Sequence, residues 1–176
     1  MTTPTTIEID VLLEFRDYLR ANYWFLFHRF KFVLALLFFV GVFSPLLIVS
    51  RLAAQRPTDN SWGFLIPLGV LVFMFAGTYF NTKKHMASNR ALSERVHYVF
   101  SESGIESTAP STSGRTAWQN VYEAHEAKTN FLIFISKNMM YVIPKRCFDD
   151  AEQMASFKRL LRSQLNAKAK WKDSHD

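Results

Sequence analysis

The sequence predicts a membrane α-helical hairpin of two spans, followed by an α+β domain. Two uncharged stretches predict the hairpin, residues 32–50 and 61–82. A helix needs about 20 apolar residues to cross the hydrocarbon core of a bilayer. The domain is predicted by the short β-type segments and the amphipathic helical pattern that come after them. Two helices buried in a soluble core are disfavoured, because 176 residues supply too little protein to surround both.

The segment before the first span begins with a strand pattern. Over residues 5–11 the apolar side chains of Ile7, Ile9 and Val11 alternate with Glu8 and Asp10, and a period of two is typical of a strand. This strand could complete the sheet of the later domain across the hairpin. From Leu12 the pattern is helical. Residues 1–31 are therefore interpreted as a strand and an interfacial helix, and a helix that simply continues into the first span is the equal alternative.

Charge predicts how the hairpin, residues 32–82, is oriented. The link of residues 51–60 is short and contains the turn residues Pro57, Asp59 and Asn60. Basic residues are sparse in this link and frequent on both outer flanks, namely Arg16, Arg20, Arg29 and Lys31 before the first span and Lys83, Lys84, Arg90 and Arg95 after the second. Two spans joined by a short link make a multi-pass protein. By the positive-inside rule we expect both termini to be cytoplasmic.

The remainder, residues 91–168, predicts a compact cytoplasmic domain. Short strand-like segments separated by polar turns favour an antiparallel sheet of five to seven strands. The proposed strands are residues 95–101, 105–108, 121–128, 131–136 and 139–144, with a polar loop at 109–114 and a further segment at 115–120 that holds Trp118. Trp118 is the expected core anchor.

A helix is predicted after the last strand. Asp149 or Asp150 is the candidate N-cap. The apolar stripe runs through Met154, Phe157, Leu160, Leu161 and Leu165, with the helix continuing to Asn166, and Lys158, Arg159 and Arg162 are expected to face water. Residues 169–176 form a basic tail. A sheet capped by one C-terminal helix resembles a pleckstrin-homology-like (PH-like) half-barrel.

The pattern of two spans followed by these motifs also resembles the YcxB-like family of bacterial membrane proteins. The resemblance is sharpest over residues 95–161. It is carried by residues 96–100, the pair Gly104-Ile105, Trp118, Val121, the FLIFIS and VIPKR segments, and Phe148. Its motifs are structural, with Gly104 reversing a hairpin and Phe148 fastening the helix start. The resemblance implies a location in the bacterial inner membrane and a PH-like domain, and it says little about activity.

No catalytic, cofactor-binding or metal site is predicted. The five histidines share no ligand spacing. His125 lies between Glu123 and Glu126 and could bind a metal, but an exposed strand edge explains it better. Cys147 lies near a helix N-terminus, which can lower a thiol pKa, but no partner histidine is indicated and packing is the favoured interpretation. Nucleotide-binding loops and hydrolase motifs are absent from the sequence, so we expect a protein that is not an enzyme.

The basic residues offer the only candidate binding surface in the sequence. Its members are Lys83, Lys84, Arg90, Lys145, Arg146 and Lys158. They could contact anionic headgroups of the inner leaflet or a partner, and solvated charge that only fixes topology is the favoured alternative. A net charge of +6 without basic stretches interleaved with aromatics argues against nucleic-acid binding.

The sequence therefore favours a non-catalytic adaptor or regulator that presents a binding domain at the membrane. The bilayer is one partner, and a protein partner or a second copy of the chain is the other. Two alternatives stay open, namely an immunity or resistance protein against a toxin that acts on the membrane or envelope, and an accessory subunit of a membrane transporter or enzyme.

Overall fold

The computed structural model describes residues 6–53, 65–88, 94–165 and 170–173. The chain divides into two compact units. One consists of Met1–Ala21 with His85–Asp176, and the other of Asn22–Lys84. The first, which we call the sheet unit, therefore takes its residues from both sides of the second, the helical unit.

Sheet A, the first sheet of the sheet unit, joins distant parts of the sequence. Its strands follow chain order and are antiparallel: β1 Ile7–Val11, β2 Val96–Ser101, β3 Gly104–Ala109 and β4 Thr112–Thr116. Ile7 is opposite Phe100 and Val11 is opposite Val96. The strand predicted over residues 5–11 is thus confirmed, and it completes the sheet as expected; Thr5 lies outside the described residues.

Sheet B, the second sheet, contains the remaining described strands in the order β7-β6-β5-β8. These are β5 Glu123–Glu126, β6 Asn130–Phe134, β7 Met140–Pro144 and β8 Lys170–Asp173. The first three are antiparallel neighbours, whereas β8 runs parallel to β5. We expected one sheet of five to seven strands. The described residues instead form eight strands in two sheets, because a 3-10 helix at Trp118–Asn120 separates β4 from β5.

The polar loop predicted over residues 109–114 is wrong. The chain turns at residues 110–111 and enters β4 at Thr112, where Ala109 is opposite Thr112. Most of β4 is exposed. A strand with no buried side chains lacks the apolar alternation that a sequence pattern can reveal, so its backbone pairing with β3 is what defines it.

The core lies between the sheets and the C-terminal helix α3, Ala151–Gln164. Asp150 is the N-cap, and its carboxylate accepts the backbone N–H of Gln153 at 2.6 Å. The predicted stripe is confirmed: Phe157, Leu160, Leu161 and Leu165 are buried, and Met154 packs against the core while partly buried. Phe157 makes ring contacts with Phe100, Phe131 and Phe148.

Trp118 is the core anchor that the sequence predicts. Its side chain is buried, and its Nε1 donates a hydrogen bond to the carbonyl oxygen of Ser101 at 2.8 Å. Since Ser101 ends β2 and Trp118 begins the link between the two sheets, this bond fastens that link to sheet A. A buried indole whose N–H is satisfied contributes apolar area at no polar cost.

Two helices make up the rest of the described chain, α1 Phe15–Ala53 and α2 Leu65–Ser88. Two helical segments of α1 meet at a kink at Phe30, whose backbone angles are non-helical (φ −111°, ψ 20°), and both alternatives for the N-terminal segment stay predictions. Within the described residues one segment, Phe15–Gly41, is long and apolar enough to cross a membrane. The predicted second span lies largely in α2, and residues 61–64 fall outside the described ranges.

A glycine substitution tests the β2–β3 turn. Gly104 has a φ of +144°, and a Cβ there would lie 2.5 Å from the carbonyl oxygen of Thr116. Gly104→Ala is expected to lower the free energy of unfolding of the full chain in detergent by about 1–3 kcal/mol. The matched control is Gly114→Ala in the next hairpin, where a Cβ would meet only the Ser107 hydroxyl at 3.3 Å. Equal stabilities of the two variants in chemical denaturation would contradict this account of the turn.

Candidate binding surface

Two lysines of the predicted basic surface meet at one buried carboxylate. Glu126 ends β5, and its side chain is 4% exposed. Lys145 Nζ donates to Glu126 Oε1 at 2.7 Å, and Lys158 Nζ lies 2.6 Å from the same oxygen. Lys145 begins the 3-10 helix Lys145–Cys147 that follows β7, and Lys158 belongs to α3. One carboxylate therefore joins three elements of the sheet unit.

An aromatic ring lies under this ion cluster. Lys145 Nζ is 5.3 Å and Lys158 Nζ is 5.7 Å from the centroid of the Phe131 ring. Phe131 is fully buried and contacts the rings of Phe148 and Phe157. A cation over an aromatic face is attracted by the ring quadrupole. The two ammonium groups thus cover one end of the aromatic core while they neutralise Glu126.

The environment of Glu126 keeps its carboxylate ionised. Burial by itself would raise the pKa of Glu126, but the hydrogen bonds from Lys145 and Lys158 outweigh it and hold the pKa below its ordinary value. The three side chains together carry a net positive charge. Lys145 and Lys158 keep 22% and 27% of their side chains exposed, so Lys158 is only partly in water, where we expected a solvent-facing residue.

Arg146 takes part in a separate cluster. Its Nη2 donates to Asp17 Oδ2 at 2.5 Å and to the carbonyl oxygen of Leu12 at 2.9 Å, and it lies 3.3 Å from Glu14 Oε1. The hydrogen bond to Asp17 raises the pKa of Arg146 above its ordinary value. The 3-10 helix after β7 is thereby tied to the segment that leads from β1 into α1.

Asp17 also stabilises the first turn of α1. Its Oδ2 accepts the backbone N–H of Glu14 at 3.1 Å, which satisfies a donor that the first helical turn leaves without a partner. The negative charge also suits the positive end of the helix dipole. The buried amide of Asn130 donates from Nδ2 to the Asp17 carbonyl oxygen at 3.3 Å. The first turn of α1 is thus held by β6 as well as by Arg146.

The structure distributes the predicted surface residues over several places. Lys145 and Lys158 are brought together at Glu126, and Arg146 lies beside them in sequence but pairs with Asp17. Lys83 and Lys84 belong to α2, in the helical unit, and Arg90 lies outside the described residues.

The sequence prediction did not include the carboxylates that these cations pair with, Glu126 and Asp17. One signal could have revealed Glu126, because it is two residues after Ala124 and so shares the core face of β5. A carboxylate on a core face requires a cation.

The prediction that His125 lies on an exposed strand edge is wrong. The His125 side chain is 4% exposed, its Nε2 lies 3.4 Å from Glu123 Oε2, and its ring packs edge-on against Phe134. The reason is that β5 lies between β6 and β8, so it is an interior strand of sheet B. Among the described residues, no group of three or more His, Cys, Asp or Glu side chains could hold a metal ion.

Cys147 lacks an activated thiol. Burial raises the pKa of the Cys147 thiol, and the positive charge of Arg146 offsets this only in part. Cys147 is half-buried and packs against the core. A raised pKa disfavours the thiolate that nucleophilic chemistry needs, in agreement with the packing role expected from the sequence.

Comparison with known proteins adds one finding. A family model described as YcxB-like protein matches residues 100–161, which run from the end of β2 into α3. This match supports the resemblance over the sheet-and-helix part of the chain. No curated protein and no solved structure matches the chain.

A charge-removing substitution tests the cluster around Glu126. Glu126→Gln keeps the size of the side chain but leaves two part-buried ammonium groups without a carboxylate, and it is expected to lower the free energy of unfolding at neutral pH by about 1–3 kcal/mol. Because the folded pKa of Glu126 lies below the ordinary value of 4.5, this stabilisation is present above that value and is lost as the pH falls through the folded pKa.

The measurement is chemical denaturation of the full chain in detergent at several pH values. Glu106→Gln is the matched control, since Glu106 is 47% exposed and lies 3.4 Å from Arg115; its effect is expected to stay within about 0.5 kcal/mol. A Glu126→Gln deficit of the same size at neutral and acidic pH would show that charge pairing is not its cause.

A second substitution tests the tie between the 3-10 helix and the start of α1. Arg146→Gln removes the donor pair that holds Asp17 and the Leu12 carbonyl. Amide hydrogen exchange across residues 12–20 is expected to rise at least tenfold, because the first turn of α1 loses its anchor. The control is Arg115→Gln, an exposed arginine on β4. Unchanged exchange in the Arg146 variant would mean that Asn130 and the helix itself suffice.

Proposed function

We propose that this chain is a small multi-pass protein of the bacterial inner membrane, in which α1 and α2 form a membrane hairpin and the sheet unit is a cytoplasmic PH-like binding domain. Its task is to present a binding surface to a protein at the membrane, as a non-catalytic adaptor or regulator. The observation that carries the proposal is the pairing of β1 with β2.

That pairing supports an even number of crossings. Strands β1 and β2 are hydrogen-bonded neighbours in one sheet, so residues 7–11 and 96–101 lie on the same side of any membrane that the chain enters. The segment between them must then cross an even number of times. If Phe15–Gly41, which is long and apolar enough, crosses the membrane, this argument favours a second crossing, for which we propose α2.

Contacts within the helical unit agree with a hairpin. Tyr23 of α1 donates its hydroxyl to the carbonyl oxygen of Phe75 at 3.2 Å, and Asn22 Nδ2 donates to Thr82 Oγ1 at 3.0 Å. Phe27 also packs against Phe75. Moving forward along α1 means moving backward along α2, so the helices are antiparallel. Polar side chains that bond across helices are a common feature of packed membrane helices.

The surfaces of the two helices also fit a bilayer. Large apolar side chains project from them, and several are more than 60% exposed, namely Phe32, Leu36, Phe38, Ile66, Val72, Phe73 and Phe80. Exposed apolar surface of this extent has to be covered, and lipid tails would cover it. The basic flanks of the two predicted spans support our proposal that both termini are cytoplasmic.

The architecture of the sheet unit supports a PH-like domain. Two four-stranded sheets enclose an aromatic core, and one C-terminal helix packs into that core. The polar clusters of Glu126 and Asp17 are engaged in contacts that join elements, which is typical of structural ion pairs. Lys145, Arg146 and Lys158 each have a carboxylate partner, and this favours a protein over an anionic headgroup as the ligand.

Reporter fusions test the hairpin. Reporters placed after Met1 and after Asp176 are expected to be active as cytoplasmic fusions, and one inserted at Thr58 is expected to be active only outside the cytoplasm. A single crossing would place the two termini on opposite sides, which would overturn the hairpin. The matched control is the Asp176 fusion on a chain lacking residues 61–82, which is expected to move its reporter across the membrane.

A further inference from the structure

Strand β8 differs from every other described strand in its direction. Lys170–Asp173 pairs parallel with β5, whereas all other described pairs are antiparallel. The register places Lys170 beside Glu123 and Lys172 beside His125. Strand β8 follows helix α3 in the chain, and α3 ends at Gln164. The edge of β5 that faces away from β6 is therefore covered by a strand contributed from beyond the helix.

This arrangement makes β8 the strand most easily replaced. β8 has four residues, β5 is its one partner among the described strands, and parallel pairing is slightly less stable per residue than antiparallel pairing. If β8 leaves, β5 keeps its antiparallel partner β6, and β6 keeps β7. The backbone edge of β5 would then be free to accept another extended segment, which is how exposed sheet edges recognise peptides.

The chemistry of β5 limits what that segment can be. The strand reads Glu-Ala-His-Glu, and the Glu123 side chain keeps 28% of its surface exposed. The resident strand places Lys170 next to Glu123 and Lys172 next to His125. Asp173 is next to Glu126, whose charge is already compensated by Lys145 and Lys158. Opposite charges at neighbouring positions of paired strands stabilise the pairing, and like charges weaken it. An extended segment with cations at alternate residues therefore suits this edge.

We propose that the β5 edge is a docking site for an extended, basic segment of a partner protein, which adds parallel to β5 in place of residues 170–173. The chain's own C-terminal strand is the resident competitor and keeps the edge covered until the partner is present. This inference rests on the proposed function, in that it takes the sheet unit to be a binding module, and it names the kind of ligand that the module takes.

The experiment uses the full chain in detergent and a second form that ends at Leu165. The first probe is a labelled peptide of residues 166–176. It is expected to bind the shortened form at least tenfold more tightly than the full chain, and to lower amide exchange over Glu123–Glu126 in the shortened form. A Trp171→Pro version of the peptide is the control, because proline removes a backbone donor from the strand. Equal binding of the two peptides, or no binding of either, would overturn the proposal.

The second probe tests the partner chemistry on the full chain. An eight-residue peptide of alternating Lys and Val is expected to raise exchange over Lys170–Asp173 while Glu123–Glu126 stays protected. A peptide of alternating Glu and Val is the control and is expected to leave both segments unchanged. Displacement by both peptides would overturn the basic specificity, and displacement by neither would overturn the docking site.

Two further results separate this proposal from its alternatives. A dimer of the full chain that disappears when residues 166–176 are removed would assign the edge to the strand of a second copy, and would overturn the partner assignment. The reporter fusions report on the membrane hairpin alone. The docking site can therefore fail while the hairpin stands, and a failed hairpin leaves the peptide result unaffected.

Discussion

The pairing of β1 with β2 is the constraint on which the rest of the structure depends. It joins residues 7–11 to residues 96–101, so the chain leaves the sheet unit and returns to it at neighbouring points. The entropic cost of closing a loop grows slowly with the length of the loop. A long insertion between β1 and β2 is therefore tolerated. In return β1 supplies Ile7, Ile9 and Val11 to the core. Without β1, sheet A would lose a strand and the core would lose these three buried side chains.

A second constraint acts where β7 meets α3. Lys145 and Arg146 are adjacent in sequence, yet they bind carboxylates on different elements, Glu126 on β5 and Asp17 on α1. Removing one partner of a buried ion pair leaves a charge without compensation, which costs far more than the pair itself contributes. These contacts therefore specify how the elements meet. Because Lys145 and Arg146 already pair with carboxylates of the same chain, their role is structural and their charges are less available to a ligand.

For the binding function that we propose, these two constraints leave the edges of the sheets as the available sites. The faces that carry Phe100, Phe131 and Phe157 are buried in the core, and the main ionic clusters are engaged internally. The β5 edge, covered by a strand from beyond α3, combines backbone hydrogen-bonding groups with the partly exposed side chain of Glu123. In our proposal, the sheet unit uses this edge to bind an extended segment of a partner protein.

The sequence by itself determined what local periodicity and composition can encode. The apolar helix, the strands at residues 96–101 and 131–134, the N-cap at Asp150, the stripe of α3 and the anchoring role of Trp118 were all predicted, because each depends on side chains close together in the chain. The YcxB-like resemblance was also carried by such local motifs, and the matching family model covers residues 100–161. The lysines at 145 and 158 were named, but their common partner was not.

Only the tertiary structure decided the rest. Strand β4 has no apolar alternation, and β8 pairs with a strand that precedes it by more than forty residues, so neither leaves a local signal. The burial of His125 follows from β5 lying inside sheet B, and the pairing of Arg146 with Asp17 joins residues 129 positions apart. Hydrogen bonds and ion pairs between distant segments exist only once the chain is folded, and a pattern of neighbours in sequence cannot encode which carboxylate a given cation will meet.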